Sequence, residues 1–110
     1  MEKLLSIYNQ VNQFGKDHNF ELEIVKPGEI NYKMAVQAKH LATPTAIHGG
    51  MIAAMMDGVL GVAALSSVAE EGKLVSTIEF KISYYDPAFE GDTLTGRGII
   101  DKKGNRIIFA

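Results

Sequence analysis

The stretch HGGMIAAMMDGVLGVAALSSVA, residues 48–69, decides how the rest of the chain must be arranged. Apolar residues fill nearly every position from Met51 to Val68, so a helix here has no polar stripe to turn toward water. Such a helix is either enclosed by protein or set in a bilayer. Asp57 interrupts the run, and Gly49–Leu65 falls slightly short of crossing roughly 30 Å of hydrocarbon. We therefore expect a buried helix over about 49–69. In a single domain of 110 residues, only a sheet wrapped about that helix can enclose it. Gly58 and Gly61 each cost a helix interior about 1 kcal/mol relative to Ala, so a close backbone approach is expected at both.

Upstream, Leu4, Ile7, Tyr8, Val11 and Phe14 recur at helical spacing, which predicts an amphipathic N-terminal helix over 2–15 ended by Gly15. From Phe20 the period changes. Phe20, Leu22 and Ile24 alternate with Glu21 and Glu23, Pro27-Gly28 marks a turn, and Ile30, Tyr32, Met34, Val36 and Ala38 share the next apolar face. That pattern is a half-buried antiparallel hairpin. Residues 40–47 contain Pro44 and no periodicity, so they read as the loop that enters the apolar helix. Downstream of Glu71-Gly72-Lys73, alternation from Leu74 to Tyr85 predicts one long strand, about 40 Å at roughly 3.3 Å per residue. Asp86-Pro87 stops it, and Glu90-Gly91-Asp92 turns the chain into a strand from Thr93 to Ile100. Lys102-Lys103-Gly104-Asn105 forms a hairpin turn, and Arg106–Ala110 begins a last strand. The expectation is one α+β domain over 1–110 with an antiparallel sheet around a central helix. Tyr84, Tyr85 and Phe89 are assigned to packing rather than to the lining of a ligand pocket.

Composition narrows the function. Apolar residues make up 46% and charged residues 22%, as in an ordinary globular chain rather than a disordered one. The net charge of −2 and the pI near 5.9 provide no footprint for a phosphate backbone, so nucleic acid is not an expected partner. The absence of cysteine removes disulfides, thiolate zinc sites and a cysteine nucleophile at once. His18, His40 and His48 do not fall at metal-ligand spacing, so neither a metal nor another cofactor is expected. The N-terminus carries Glu2 and Lys3 and no long apolar core, unlike a secretion signal, which makes a cytoplasmic protein without a membrane span the expectation.

Two features carry possible chemistry. Asp57 is the lone charge of the apolar helix. It either points outward to solvent or to a lysine, or it is a desolvated carboxylate available as a base. His48-Gly49-Gly50 sits at the helix entry. The glycines either serve a tight turn alone, or they expose free N–H groups at the positive end of the helix dipole as an oxyanion hole. Gly49 and Asp57 are separated along one helix by about 12 Å at 1.5 Å per residue. They cannot both reach one carbonyl carbon, so a shared role requires two protomers with antiparallel helices, in a dimer or a dimer of dimers.

HGGMIAAMMDG, followed by STIEFKISYYDPAFEGD, closely resembles the phenylacetate-pathway type thioesterases of the 4-hydroxybenzoyl-CoA thioesterase, or hotdog, superfamily. The resemblance extends over most of the chain from Phe20. It implies hydrolysis of an acyl-CoA thioester. The Gly49 N–H would polarise the carbonyl, Asp57 would serve as general base or nucleophile, and Thr77 would orient the attacking water. His48 would support the helix entry, with Gly50 and Thr45 near the substrate. The chain departs from the pattern at Ala42, where many relatives have Asn, and at Thr45, where they have Gly. Lys102, Lys103 and Arg106 either meet the phosphates of coenzyme A or form a solvated hairpin. The alternative from a different class is a non-catalytic module that binds acyl-CoA or an acyl-carrier protein. A dehydratase of the same fold fits the spacing from His48 to Asp57 less well. Relatives also continue past the last strand, so the resemblance implies incomplete C-terminal strands and an open sheet edge.

Overall fold

The computed structural model describes residues 2–110. Its frame is the hairpin of β1 (Glu21–Lys26) and β2 (Glu29–Ala35), closed by the two-residue turn at Pro27 and Gly28. Gly28 has φ of +89°, a conformation that glycine adopts without Cβ strain. The alternation read in β2 is realised: Ile30, Tyr32, Met34 and Val36 are buried, while Lys33 and Ala35 are exposed. Ala38 does not continue this face. The strand ends at Ala35, and Ala38–His40 forms one 3-10 turn.

On the other side of β2 lies β3 (Thr93–Ile99), antiparallel in the register Tyr32 with Gly96, giving the sheet order β1-β2-β3. A short separate hairpin of β4 (Lys102–Lys103) and β5 (Ile108–Phe109) closes around Gly104 and Asn105. The central helix runs from Gly49 to Val68 and lies across the sheet with Met55, Val59, Val62, Ala63, Ser66 and Val68 buried. By length and composition it is apolar enough to cross a membrane, yet it is the core helix of this domain. Two shorter helices precede it in the chain, so this element is α3.

The close approach expected of Gly58 and Gly61 holds only at the first. A Cβ on Gly58 would come 2.9 Å from a ring carbon of Tyr32, whereas nothing stands within 4 Å of one on Gly61. The tighter contact comes from the sheet. A Cβ on Gly98 would lie 2.5 Å from the carbonyl oxygen of Val59, so glycine in β3 is what lets α3 settle onto the strands. Ser66 adds a polar pin. Its Oγ donates to the Ala63 carbonyl (2.7 Å) and accepts from the Gly28 amide (2.8 Å), joining the hairpin turn to the helix.

Three expectations are corrected. The N-terminal helix over 2–15 is two helices, α1 (Glu2–Val11) and α2 (Gln13–Asp17). Asn12 breaks it by accepting the Gly15 amide at its own side chain, as an N-cap does, and Gly15 lies inside α2 instead of ending it. Within the first helix Tyr8 packs against the core and Leu4 is half-buried, while Ile7 and Val11 remain exposed.

The twelve-residue strand 74–85 is not formed. No described strand lies beside it to take its backbone hydrogen bonds, and Leu74 (90%), Ile78 (78%) and Tyr85 (91%) stand in solvent. Finally, α3 is not enclosed. The three-stranded sheet buries one face, and Met51, Ile52, Met56 and Leu60 are only half-buried.

Candidate active site

Asp57 lies two residues from both Met55 and Val59, so its side chain projects about 200° around the helix from each of these sheet-facing residues. It is half-exposed, not desolvated as a fully buried carboxylate would be. Its partner comes from the segment that pairs with no strand. The Thr77 hydroxyl donates to Asp57 Oδ1 at 2.6 Å, the short distance of a charge-assisted bond. Thr77 uses its single proton on the carboxylate, which leaves its lone pairs to accept from a water molecule and leaves Asp57 Oδ2 to take a proton.

The same segment returns to the start of α3, where Tyr84 donates to the Gly49 carbonyl at 2.8 Å. Tyr84 is exposed over about half its surface (52%), Tyr85 almost wholly, and Phe89 is also exposed, so assigning these aromatics to packing is corrected. The contact at Tyr84 joins residues 35 apart, and no local pattern in the sequence signals it.

His48 is the N-cap of α3. Its Nδ1 accepts the Gly50 amide at 2.8 Å, which fixes the neutral ring with its proton on Nε2, free to donate. The Gly50 amide is thereby used within the helix entry and does not face a ligand. The Gly49 N–H has no protein acceptor among the described residues, as expected of a first-turn amide, and both glycines are exposed. Gly49 and Asp57 are about 12 Å apart along the axis, too far to touch one carbonyl carbon within a single chain.

Behind this entry is a buried support that the sequence reading passed over. His40 is 1% exposed. Its Nδ1 accepts the Gln37 amide (3.0 Å), so its Nε2 carries the proton and donates to His18 Nδ1 at 3.1 Å. Burial, with His18 and Lys39 nearby, holds the His40 pKa below its ordinary value. The His40 carbonyl accepts the His48 amide at 2.8 Å, tying this pair to the helix entry. Tyr8 and Tyr32 meet hydroxyl to hydroxyl at the Gly58 level, and burial pushes the Tyr8 pKa up to about 12, with Asn12 opposing.

The remaining sequence candidates lie elsewhere. Thr45 borders a shallow hollow with Pro44, Phe89 and Glu90, and its carbonyl accepts the Glu90 amide. Lys103 is not a free rim cation. Its Nζ donates to the Ser67 carbonyl (2.9 Å) and to Glu71 Oε2 (2.6 Å), neutralising the C-terminal end of α3. Lys103 and Lys73 together hold the Glu71 carboxyl below its usual range. Lys102 and Arg106 are exposed on the same hairpin. No group of three or more His, Asp or Glu side chains converges to hold a metal among the described residues.

A helix entered through His-Gly-Gly and laid on an antiparallel sheet, with Asp and Thr paired two turns on, defines a hotdog domain of the thioesterase type. The sequence pattern of the thioesterase superfamily matches residues 45–110, and the chain belongs to that family.

Human acyl-coenzyme A thioesterase 13 is 25% identical over 94% of this chain and 78% of its own length. An Archaeoglobus fulgidus protein that carries the provisional name esterase is 32% identical over 74% of the chain, which spans only 51% of that relative. Among solved structures, zebrafish thioesterase superfamily member 2 aligns with a TM-score of 0.70 and 26% identity, over 78% of this chain and 61% of its own. The Escherichia coli PaaI protein, from the phenylacetic acid degradation operon, aligns with a TM-score of 0.83. It covers 92% of this chain and 70% of its own, and at 22% identity it supports the fold alone.

Proposed function

We propose that this chain hydrolyses an acyl-CoA thioester to a free acid and coenzyme A, at a site shared by two protomers. The observation that carries the reading is the 2.6 Å bond between Thr77 and Asp57, a residue of the same helix whose first amide, the Gly49 N–H, is unused among the described residues. In an antiparallel pair of α3 helices, the Gly49 N–H of one protomer comes level with Asp57 of its partner. Water held by Thr77 loses its proton to Asp57 as its oxygen attacks the carbonyl carbon. The oxyanion takes the Gly49 N–H, and its collapse breaks the C–S bond and expels the CoA thiolate. Attack by Asp57 itself, followed by hydrolysis of the resulting anhydride, uses the same groups. A thioesterase with coenzyme A bound, from Streptococcus pneumoniae, has this fold and supports the ligand class. Lys102 and Arg106, exposed on the β4–β5 hairpin, are the proposed contacts for the coenzyme A phosphates. The protein is proposed to be cytoplasmic, as a homodimer or a dimer of dimers.

CoA release from a panel of acyl-CoAs tests the activity, and Asp57→Asn is expected to lower it at least about 100-fold with the fold intact. Subunit mixing tests the shared site. Gly49→Pro deletes the donor while keeping the helix start, since proline suits the first helical position and His48 already has the extended backbone (φ −71°, ψ 128°) required before it. Mixed with Asp57→Ala it should regain activity in heterodimers. A monomeric wild-type chain that binds acyl-CoA without turnover would support the non-catalytic module instead.

A further inference from the structure

The first turn of α3 has an unusual weakness. Gly49 and Gly50 are its first two residues, so no side chain restricts their backbone, and first-turn amides have no partners within the helix. An oxyanion donor mounted on such a turn is aimed more narrowly when side chains also hold the turn from outside the helix backbone.

Two side chains hold the peptide unit between these glycines, one from each end. The Tyr84 hydroxyl donates to its oxygen, the Gly49 carbonyl, at 2.8 Å. His48 Nδ1 accepts from its nitrogen, the Gly50 N–H, also at 2.8 Å. In a planar trans peptide these atoms point in opposite directions, so bonds at both ends fix its rotation. The bonds also reinforce each other, because donation to the carbonyl makes the adjoining N–H a better donor. The Tyr84 ring lies beside the glycine as well, with Cε1, Cζ and the hydroxyl oxygen each 3.6 Å from where a Cβ on Gly49 would sit.

We propose that Tyr84 is a positioning residue of the active site, clamping the Gly49–Gly50 peptide against the His48 cap so that the neighbouring Gly49 N–H aims at the thioester carbonyl. The role in catalysis rests on reading that N–H as the oxyanion donor. The clamp itself rests only on Tyr84, Gly49, Gly50 and His48 and the two bonds between them. Tyr84 touches no reacting atom, and it acts by setting the direction of the donor.

Tyr84→Phe removes the hydroxyl and keeps the ring. The side chain is half-exposed, so the fold and melting midpoint are expected to hold. With one aryl-acetyl and one straight-chain acyl-CoA as probes, kcat should fall about tenfold, the scale of one neutral hydrogen bond. KM should stay within about twofold, because a mis-aimed oxyanion donor weakens the transition state more than the ground state. Tyr85→Phe, at an almost fully exposed neighbour, should leave kcat unchanged.

A second readout needs no turnover. The 15N resonance of His48 Nδ1 should move toward that of an unbonded imine nitrogen in Tyr84→Phe. An unmoved resonance overturns the clamp, and so does an unchanged kcat in an active enzyme. If the wild type hydrolyses neither probe, the thioesterase reading fails, while the His48 resonance still decides whether Tyr84 holds the turn.

Discussion

Replacing Gly98 by alanine tests the packing that seats α3, and hence Asp57, on the sheet. The added methyl would lie 2.5 Å from the Val59 carbonyl oxygen, 3.0 Å from its carbon and 3.2 Å from the Ala63 Cβ. The first two of these are helix backbone and cannot rotate aside. Ordinary contact begins near 3.4 Å, so α3 must rise from β3 by about 0.9 Å, or the strand must buckle by as much. Overpacking of this kind costs about 1–3 kcal/mol. For a domain of this size the melting midpoint should drop by about 5–20 °C. Because a shift near 1 Å also changes how Asp57 meets Thr77, hydrolysis should fall in the protein that remains folded.

Gly61→Ala is the matched control. Nothing stands within 4 Å of its new methyl, so the usual helix preference for alanine should raise stability by about 1 kcal/mol. Thermal unfolding followed by circular dichroism measures both. A Gly98→Ala midpoint within about 2 °C of the parent, or a fall for Gly61→Ala as large as that for Gly98→Ala, would refute the packing argument.

Thr77→Val keeps the shape of the side chain but removes the donor to Asp57, so thioester hydrolysis is expected to drop about tenfold with the fold retained; equal rates would remove Thr77 from the mechanism. The lowered pKa of His40 means that the unfolded chain binds a proton which the folded chain resists. Its contribution to stability is complete above about pH 6.5 and is lost as pH falls toward the lower folded-state value, so the midpoint should decline from pH 7.5 to 5.5. His40→Gln should flatten that slope, and an identical slope in the variant would assign the effect elsewhere. Hydrogen exchange should find the amides of 74–85 fast and those of β2 slow, since only the latter are paired on both sides. Strong protection across 74–85 in solution would show that another strand covers it.

Much of the fold is legible in the sequence because period and punctuation are local. Alternation through Ile30, Tyr32 and Met34 sets the buried face of β2, Pro27-Gly28 sets the turn, and the unbroken apolar run from Met51 sets the central helix. His48, Gly49, Asp57 and Thr77 were also legible, as residue types at a spacing the family shares. What the sequence could not supply is whatever depends on a partner distant along the chain. A strand needs a neighbour for its backbone groups, so the alternation of 74–85 is a capacity for pairing that no described strand fulfils.

Lys103 looks like a free cation in sequence and is drawn to Glu71 and the end of α3. Tyr84 looks like a packing aromatic and is a hydrogen-bond donor to Gly49. Glycine in a helix suggested where backbones meet, yet the closest approach falls at Gly98 in a strand, because helix and sheet settle against whichever surface lacks a side chain. The sequence determined the hairpin, the central helix and the residue types offered for the site. Tertiary structure alone decided which of them touch, because hydrogen bonds and packing reach a few ångströms through space regardless of distance along the chain.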